Sequence, residues 1–318
     1  MSVGYSKGLH ELGEGLWAYL QPTGTWGYSN AGLVSGDGES LLVDTLFDLK
    51  LTRDMLADMK PITSTRPIGS LVNTHANGDH CFGNELVPDR ATIYATVAAA
   101  EEMKETPAAR LDGLKSASDG EIADFANYAF GDFDFTEVSG RDPDETFEHE
   151  LTLSVGGREV VIRDLGPAHT QSDSIVLVPS ARTVFTGDLV FVHGTPIAWA
   201  GPLANWITAC DTIASLDVDA IVPGHGPITD KQGVLDVKRY FEFVCEEAGQ
   251  RREAGMDALE AAFDIDLGEF ADLSDPERIV VTVETIYRDL DPSRPVADST
   301  ALFRNMGIYH KRRVAAAK

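Results

Sequence analysis

In the ten residues Leu71-Val72-Asn73-Thr74-His75-Ala76-Asn77-Gly78-Asp79-His80, an apolar run gives way to two histidines, an amide and a carboxylate. Imidazole nitrogens and a carboxylate oxygen converging on one point are the donors that zinc, iron and manganese sites use. If the backbone stays extended from His75 to Asp79, alternation puts the side chains of His75, Asn77 and Asp79 on one side of the loop. Gly78 lets the chain turn, so that His80 enters from a new direction. The competing reading is a loop at the start of a helix, with Asp79 as its cap and both histidines at the surface.

Three later blocks have the same design: Gly166-Pro167-Ala168-His169-Thr170, Phe185-Thr186-Gly187-Asp188-Leu189 and Val222-Pro223-Gly224-His225-Gly226. Each is a short apolar run ending in a glycine-containing turn with one His or Asp at its tip, as expected of ligands presented from strand ends on a rigid scaffold. Four of the eight histidines, His75, His80, His169 and His225, fall in these tips.

In the types and order of these blocks the chain resembles the metallo-β-lactamase superfamily, whose first motif is His-x-His-x-Asp-His. The order is similar to the glyoxalase II-type arrangement, and the resemblance covers about residues 12 to 230. It implies one metal site made by His75, the residue at 77, His169 and a bridging Asp188, and another made by Asp79, His80, Asp188 and His225. The chain departs from the motif at one position, where Asn77 replaces the second histidine. An amide oxygen is a poorer ligand than imidazole for a borderline-soft cation, so the first site should be the weaker. A single ion at the second site, with His75 and His169 left as proton carriers or hydrogen-bond donors, is the alternative to two.

The composition sets outer bounds. A chain of 318 residues with 43% hydrophobic content can bury a full core and form one large domain with an appendage. The formal charge of −25 repels polyphosphates and argues against nucleic acid as a partner. The one dense basic run, Lys311-Arg312-Arg313, reads as a solvated tail. Cys81, Cys210 and Cys245 are few, odd in number and unpaired in spacing, which fits a reducing compartment. Cys81 follows His80 directly but reads better as a small buried hydrophobe than as a ligand. No run of about 20 apolar residues occurs, and Met1 to His10 lacks an apolar core. The expectation is a soluble, cytoplasmic protein without a membrane partner.

The scaffold that must position the tips reads as alternating strands and helices. Strands are expected at 15–20, 31–34 and 40–43, with an Asp37-Gly38 hairpin turn. Asp44 then either accepts from a ligand histidine or caps the next helix. That helix should run from Leu46 to Lys60 and be closed by Pro61. A strand at 68–72 leads into the metal loop, a helix is expected to start over 82–87, and a short strand follows at 91–95. Residues 97–148, with Phe125, Tyr128, Phe130, Phe133 and Phe135, form an insertion that is either a lid shaping an apolar pocket or an ordinary helical pair. Trp26 and Tyr28 have the same two readings, pocket wall or simple packing. Strands resume at 150–155, 159–162, 174–179, 183–185 and 220–222, with a helix over 203–216. The expected fold is a four-layer αββα sandwich over residues 1–230, followed by a helical extension over 231–318 that packs on the site or forms a homo-oligomer contact. His193 is placed behind the ligands at most, and His10, His149 and His310 at the surface.

The chemistry expected is hydrolysis of a small molecule. A metal lowers the pKa of water towards neutrality, and Asp79 orients that nucleophile and relays a proton to the leaving group. Esters, lactones, thioesters and amide-type bonds such as β-lactams all suit it. A mononuclear iron enzyme resembling the persulfide dioxygenase branch is the second reading, because two histidines and a carboxylate suit Fe(II). A non-catalytic binding protein with a degenerate site is the third.

Overall fold

Neighbouring apolar residues of one strand turn to opposite layers, and this alternation builds the architecture. In the computed structural model, which describes residues 4–316, Leu41 and Val43 pack between two sheets while Leu42 faces helices. Leu71 and Val72, Ile175 and Val176, Val184 and Phe185, and Ile221 and Val222 divide in the same way. The result is two sheets face to face with helices on both outer sides, the expected four-layer αββα sandwich.

The first sheet contains β1 (Gly8–Gly13), β2 (Leu16–Leu20), β3 (Ala31–Ser35), β4 (Ser40–Val43), β5 (Ile68–Val72), β6 (Thr92–Thr96) and β7 (Glu145–Phe147), in that order. Its first four strands pair antiparallel and the rest parallel. The second contains β8 (Glu150–Val155), β9 (Arg158–Asp164), β10 (Ser174–Val178), β11 (Thr183–Phe185) and β12 (Ala220–Val222). Here β11 and β12 run parallel, so their C-terminal ends, and the loops that follow them, emerge side by side.

Helix α1 (Leu49–Thr63) joins β4 to β5, and α2 (Gly78–Cys81) is a single turn in the metal loop. Helices α3 (Val97–Glu105), α4 (Ala108–Lys115) and α5 (Gly120–Phe130) make up the insertion, and α6 (Leu203–Ser215) joins β11 to β12. The tail is α7 (Lys231–Glu253), α8 (Ala258–Asp264), α9 (Ile279–Leu290) and α10 (Ser299–Ala316). Asp230 caps α7 at the point where the extension was expected to begin. The tail shares the main core: the ring of Phe241 on α7 lies 4.3 Å from that of Trp206 on α6, and Phe303 on α10 packs against Phe125 and Phe130 on α5.

Several local expectations need correction. Pro61 does not close α1 but sits inside its last turn. Its missing N–H frees the carbonyl of Ala57, and both residues are exposed, so water can take that acceptor. Residues 82–87 do not start a helix. A 3-10 turn covers Asn84–Leu86, and Val87, held extended before Pro88, stops it. Strands β1 and β7 were not anticipated. Both lie at sheet edges, where one side lacks a partner and the apolar pattern is weak. No helix of the described residues is long and apolar enough to cross a membrane.

Candidate metal centre

The tips converge because of how the strands end. Asp188 follows β11 and His225 follows β12, and the two turns are locked by Gly224 N donating to Gly187 O at 2.8 Å. A side chain at Gly224 would lie within 1.9 Å of Asp188 Oδ1, so only glycine permits this approach. The loop after β5 brings His75, Asp79 and His80 to the same point from the other sheet, and the loop after β9 brings His169.

The six side chains fall into two groups whose donor atoms lie within 4.8 Å of one another: His75, His169 and Asp188, and Asp79, His80 and His225. All are buried. Asp188 stands between the groups. Its Oδ2 is 3.8 Å from His75 Nε2, 3.3 Å from His169 Nε2 and 3.5 Å from His225 Nε2, while Oδ1 is 3.1 Å from His80 Nε2. Asp79 Oδ2 lies 3.2 Å from His225 Nε2.

The partners of the outward nitrogens decide which histidine nitrogens face inward. His169 Nδ1 faces the Ile197 carbonyl at 2.6 Å and His80 Nδ1 faces Asp44 Oδ2 at 2.9 Å, so each Nδ1 carries the proton. Thr74 Oγ1 donates to Asp44 Oδ2 at 2.8 Å and can therefore accept from His75 Nδ1, 2.9 Å away. Three Nε2 atoms are thus turned into the cluster, the arrangement that fixes ligand histidines in metal sites. His75 Nε2, His80 Nε2 and Asp188 Oδ1 are buried and lack a hydrogen-bonding partner. Such orphaned atoms are costly unless something binds them, and the donor set fits a divalent metal ion.

The protonation preferences divide the histidines. Burial drives His75 well below the ordinary histidine value and lowers His169, keeping both neutral. For His80 and His225 burial acts in the same sense, but the surrounding carboxylates outweigh it. His80 is raised well above the usual value and His225 to about 9. Asp188 and Asp79 are held low by the same imidazoles despite burial. The two carboxylates call for positive charge, which protons supply here and a cation can supply instead.

Asn77 stands at the edge of the first group, with Nδ2 2.9 Å from His169 Nε2. Asp44 accepts from His80 and does not cap α1; that cap is Asp48. Cys81 is buried, its thiol facing the Ala76 carbonyl, and stays outside both groups. His193 is exposed and does not reach the site. His310, expected at the surface, is half-buried and lies 3.6 Å from the buried carboxylate of Glu277, with its ring centroid 4.0 Å from that of Tyr128.

A cavity of about 280 Å³ opens onto the cluster, reaching Asn77, Asp79, His169, Asp188 and His225. Trp26, Phe47 and Phe130 belong both to its wall and to the core, so Trp26 and one aromatic of the insertion, Phe130, pack and line the cavity at once. Phe125, Phe133 and Phe135 are core alone, and Tyr28 lies outside the wall, bonded to Asp132. Four further wall residues, Phe191, Trp199, Arg278 and Phe303, escaped sequence reasoning because nothing local distinguishes them.

The family model described as the metallo-beta-lactamase superfamily matches residues 24–225. A Caenorhabditis elegans protein named beta-lactamase-like protein 2 homolog is 33% identical over 76 residues, which is 24% of this chain and 25% of that protein. Among solved structures, the stereoselective inverting sec-alkylsulfatase Pisa1 from Pseudomonas sp. superposes with a TM-score of 0.65 at 17% identity, over 92% of this chain and 52% of the other. The chain thus spans about half the length of that protein. A metallo-beta-lactamase from Pontibacter korlensis gives a TM-score of 0.55 at 20% identity, over 73% of this chain and 98% of that one. Because the family match extends from the β2–β3 loop to the last ligand tip at His225, and the sandwich carrying those tips is shared, the chain belongs to the metallo-β-lactamase superfamily.

Proposed function

We propose that the protein is a metal-dependent hydrolase that cleaves an ester, lactone, thioester or amide-type bond in a small molecule. The observation that carries this reading is the set of inward-facing imidazole nitrogens, fixed from behind by Asp44, Thr74 and the Ile197 carbonyl and opening onto a largely apolar cavity. His75, His169 and Asp188 would hold one ion, with Asn77 beside them, and Asp79, His80 and His225 would hold another with Asp188 shared. Zinc suits this donor set, and iron or manganese are alternatives. A divalent cation held there lowers the pKa of water towards neutrality and offsets charge developing on the electrophile.

The chain's own contribution centres on Asp79, the most exposed carboxylate of the cluster and part of the cavity wall. Asp79 accepts a hydrogen bond from the attacking water and takes its proton as the water oxygen bonds to the electrophilic carbon. It returns that proton to the leaving atom as the old bond breaks. His80, anchored on Asp44, and His225, stacked on Phe191 with ring centroids 5.2 Å apart, keep the second group rigid around it.

The test is metal analysis of protein purified without added metal, beside turnover of a panel of esters, thioesters, lactones and β-lactams. Asp79→Asn should lower kcat by about a hundredfold or more in the metal-loaded protein. Absence of turnover across the panel with zinc, iron or manganese loaded would overturn the proposal. Consumption of dioxygen by an iron-loaded form would move the assignment to the persulfide dioxygenase-like alternative.

A further inference from the structure

We infer that Arg278 is an anion-binding residue of the cavity, and that the substrate is a small amphiphile with an apolar body and one singly charged oxyanion, such as a carboxylate. The inference rests on the cavity being the substrate site. Arg278 lies on the 3-10 turn Pro276–Arg278 that precedes α9, outside the span matched by the family model. It is 2% exposed and forms part of the cavity wall. A guanidinium has five N–H donors in a planar fork. Here Nη1 donates to the Thr195 carbonyl at 3.1 Å and Nη2 lies 3.3 Å from Asp275 Oδ2, while Nε is buried without a partner.

The surroundings explain how this cation is held without being used up. Its guanidinium carbon lies 4.3 Å from the Trp26 ring centroid and 5.5 Å from that of Phe191. Asp275 neutralises it from behind, and Glu277 is engaged by Trp26 Nε1 at 2.8 Å. Neither carboxylate is part of the cavity wall. The positive group therefore meets the cavity and its counterions do not.

The stack also sets where an anion would sit. Phe191 is parallel to the His225 imidazole, at 1° between planes, so one phenyl ring separates Arg278 from a candidate metal ligand. A substrate reacting at the cluster would reach Arg278 with a second polar group a few bonds away. The wall is otherwise largely apolar, with Phe47, Phe82, Leu114, Phe130 and Phe303, and it also includes Glu102 and Arg110. A net charge of −25 repels an anion at long range, so capture needs a local cation, and added salt should speed association.

Calorimetric titration of the full chain with hexanoate and with its neutral isostere hexanamide tests this, on metal-loaded protein and again after chelation. Hexanoate should bind about tenfold or more tightly than hexanamide in both states, as a charge-assisted hydrogen bond predicts. Arg278→Met should bring the two ligands to within about twofold while hexanamide affinity holds, and Arg278→Lys should retain part of the preference. Equal affinities in the wild type would overturn the inference. So would a preference that disappears on chelation or persists in Arg278→Met, since the anion would then be held elsewhere. If circular dichroism shows Arg278→Met unfolded, the chelated wild-type pair and Arg278→Lys decide the matter. None of these measurements needs turnover: a protein that binds hexanoate through Arg278 but hydrolyses nothing refutes the hydrolase alone.

Discussion

His80 and Asp44 meet at 2.9 Å, Nδ1 to Oδ2, with both side chains buried. Asp44 also accepts from Thr74 N at 2.7 Å and from Thr74 Oγ1, so both its oxygens face donors. It does this from a left-handed backbone, φ 61°, which Asn tolerates almost as well as Asp. Asp44→Asn therefore isolates the charge and the second acceptor, because its amide N–H must meet another donor. We expect metal affinity to fall about 10–100-fold, read by titrating metal into the stripped protein. Unchanged affinity would remove Asp44 from the support of His80.

Asn77→His should raise affinity at the group of His75, His169 and Asp188. The new imidazole replaces an amide that already lies 2.9 Å from His169 Nε2, so little rearrangement is needed. Activity need not rise, because a second ion would occupy space beside the cavity. Stoichiometry and affinity come from the same metal titration. Two ions already bound by the wild type, with no change in the variant, would show that Asn77 is no handicap.

Phe125 and Phe130 separate packing from recognition. Both are buried, but only Phe130 reaches the cavity. Truncation of either to Ala should cost about 3–5 kcal/mol of stability. Phe130→Ala should in addition raise KM or shift substrate preference, while metal content stays the same in both. A KM effect in Phe125→Ala, with none in Phe130→Ala, would reverse the assignment.

Glu277 makes stability depend on acid. Burial alone would raise its pKa, but the nearby His310 imidazole, the Trp26 N–H bond and the charge of Arg278 outweigh that and hold it below the ordinary value. A carboxylate depressed in the folded state contributes stability that is present above the unfolded value of about 4.3 and is lost as pH falls through the folded one. Urea melts of wild type and Glu277→Gln should therefore differ at pH 6 and converge towards pH 3. A constant gap over that range would show that Glu277 acts by shape rather than charge.

How much of this was legible follows from sequence distance. The ligand tips stand out because each is a short apolar strand ending in a glycine turn, a local signature confined to a few residues. Layer alternation is likewise local, as in Leu41, Leu42 and Val43. The edge strands β1 and β7 lack that signature. Asp44 could be narrowed only to two roles, because choosing between them required knowing that His80 folds back over it, 36 positions away.

The sequence by itself determined the donor set, its order and the sandwich that presents it, since residue type, turn chemistry and strand period are short-range properties. Only the tertiary structure decided which nitrogen of each histidine faces inward, that Asp188 stands between both groups, and that Arg278 reaches the cavity. Trp26 finds Glu277 across 251 positions, and His310 finds the same carboxylate from the last helix. Such contacts follow from the packing of whole layers, which no local pattern records, and so the candidate ligands could be read along the chain while the wall of the cavity beside them could not.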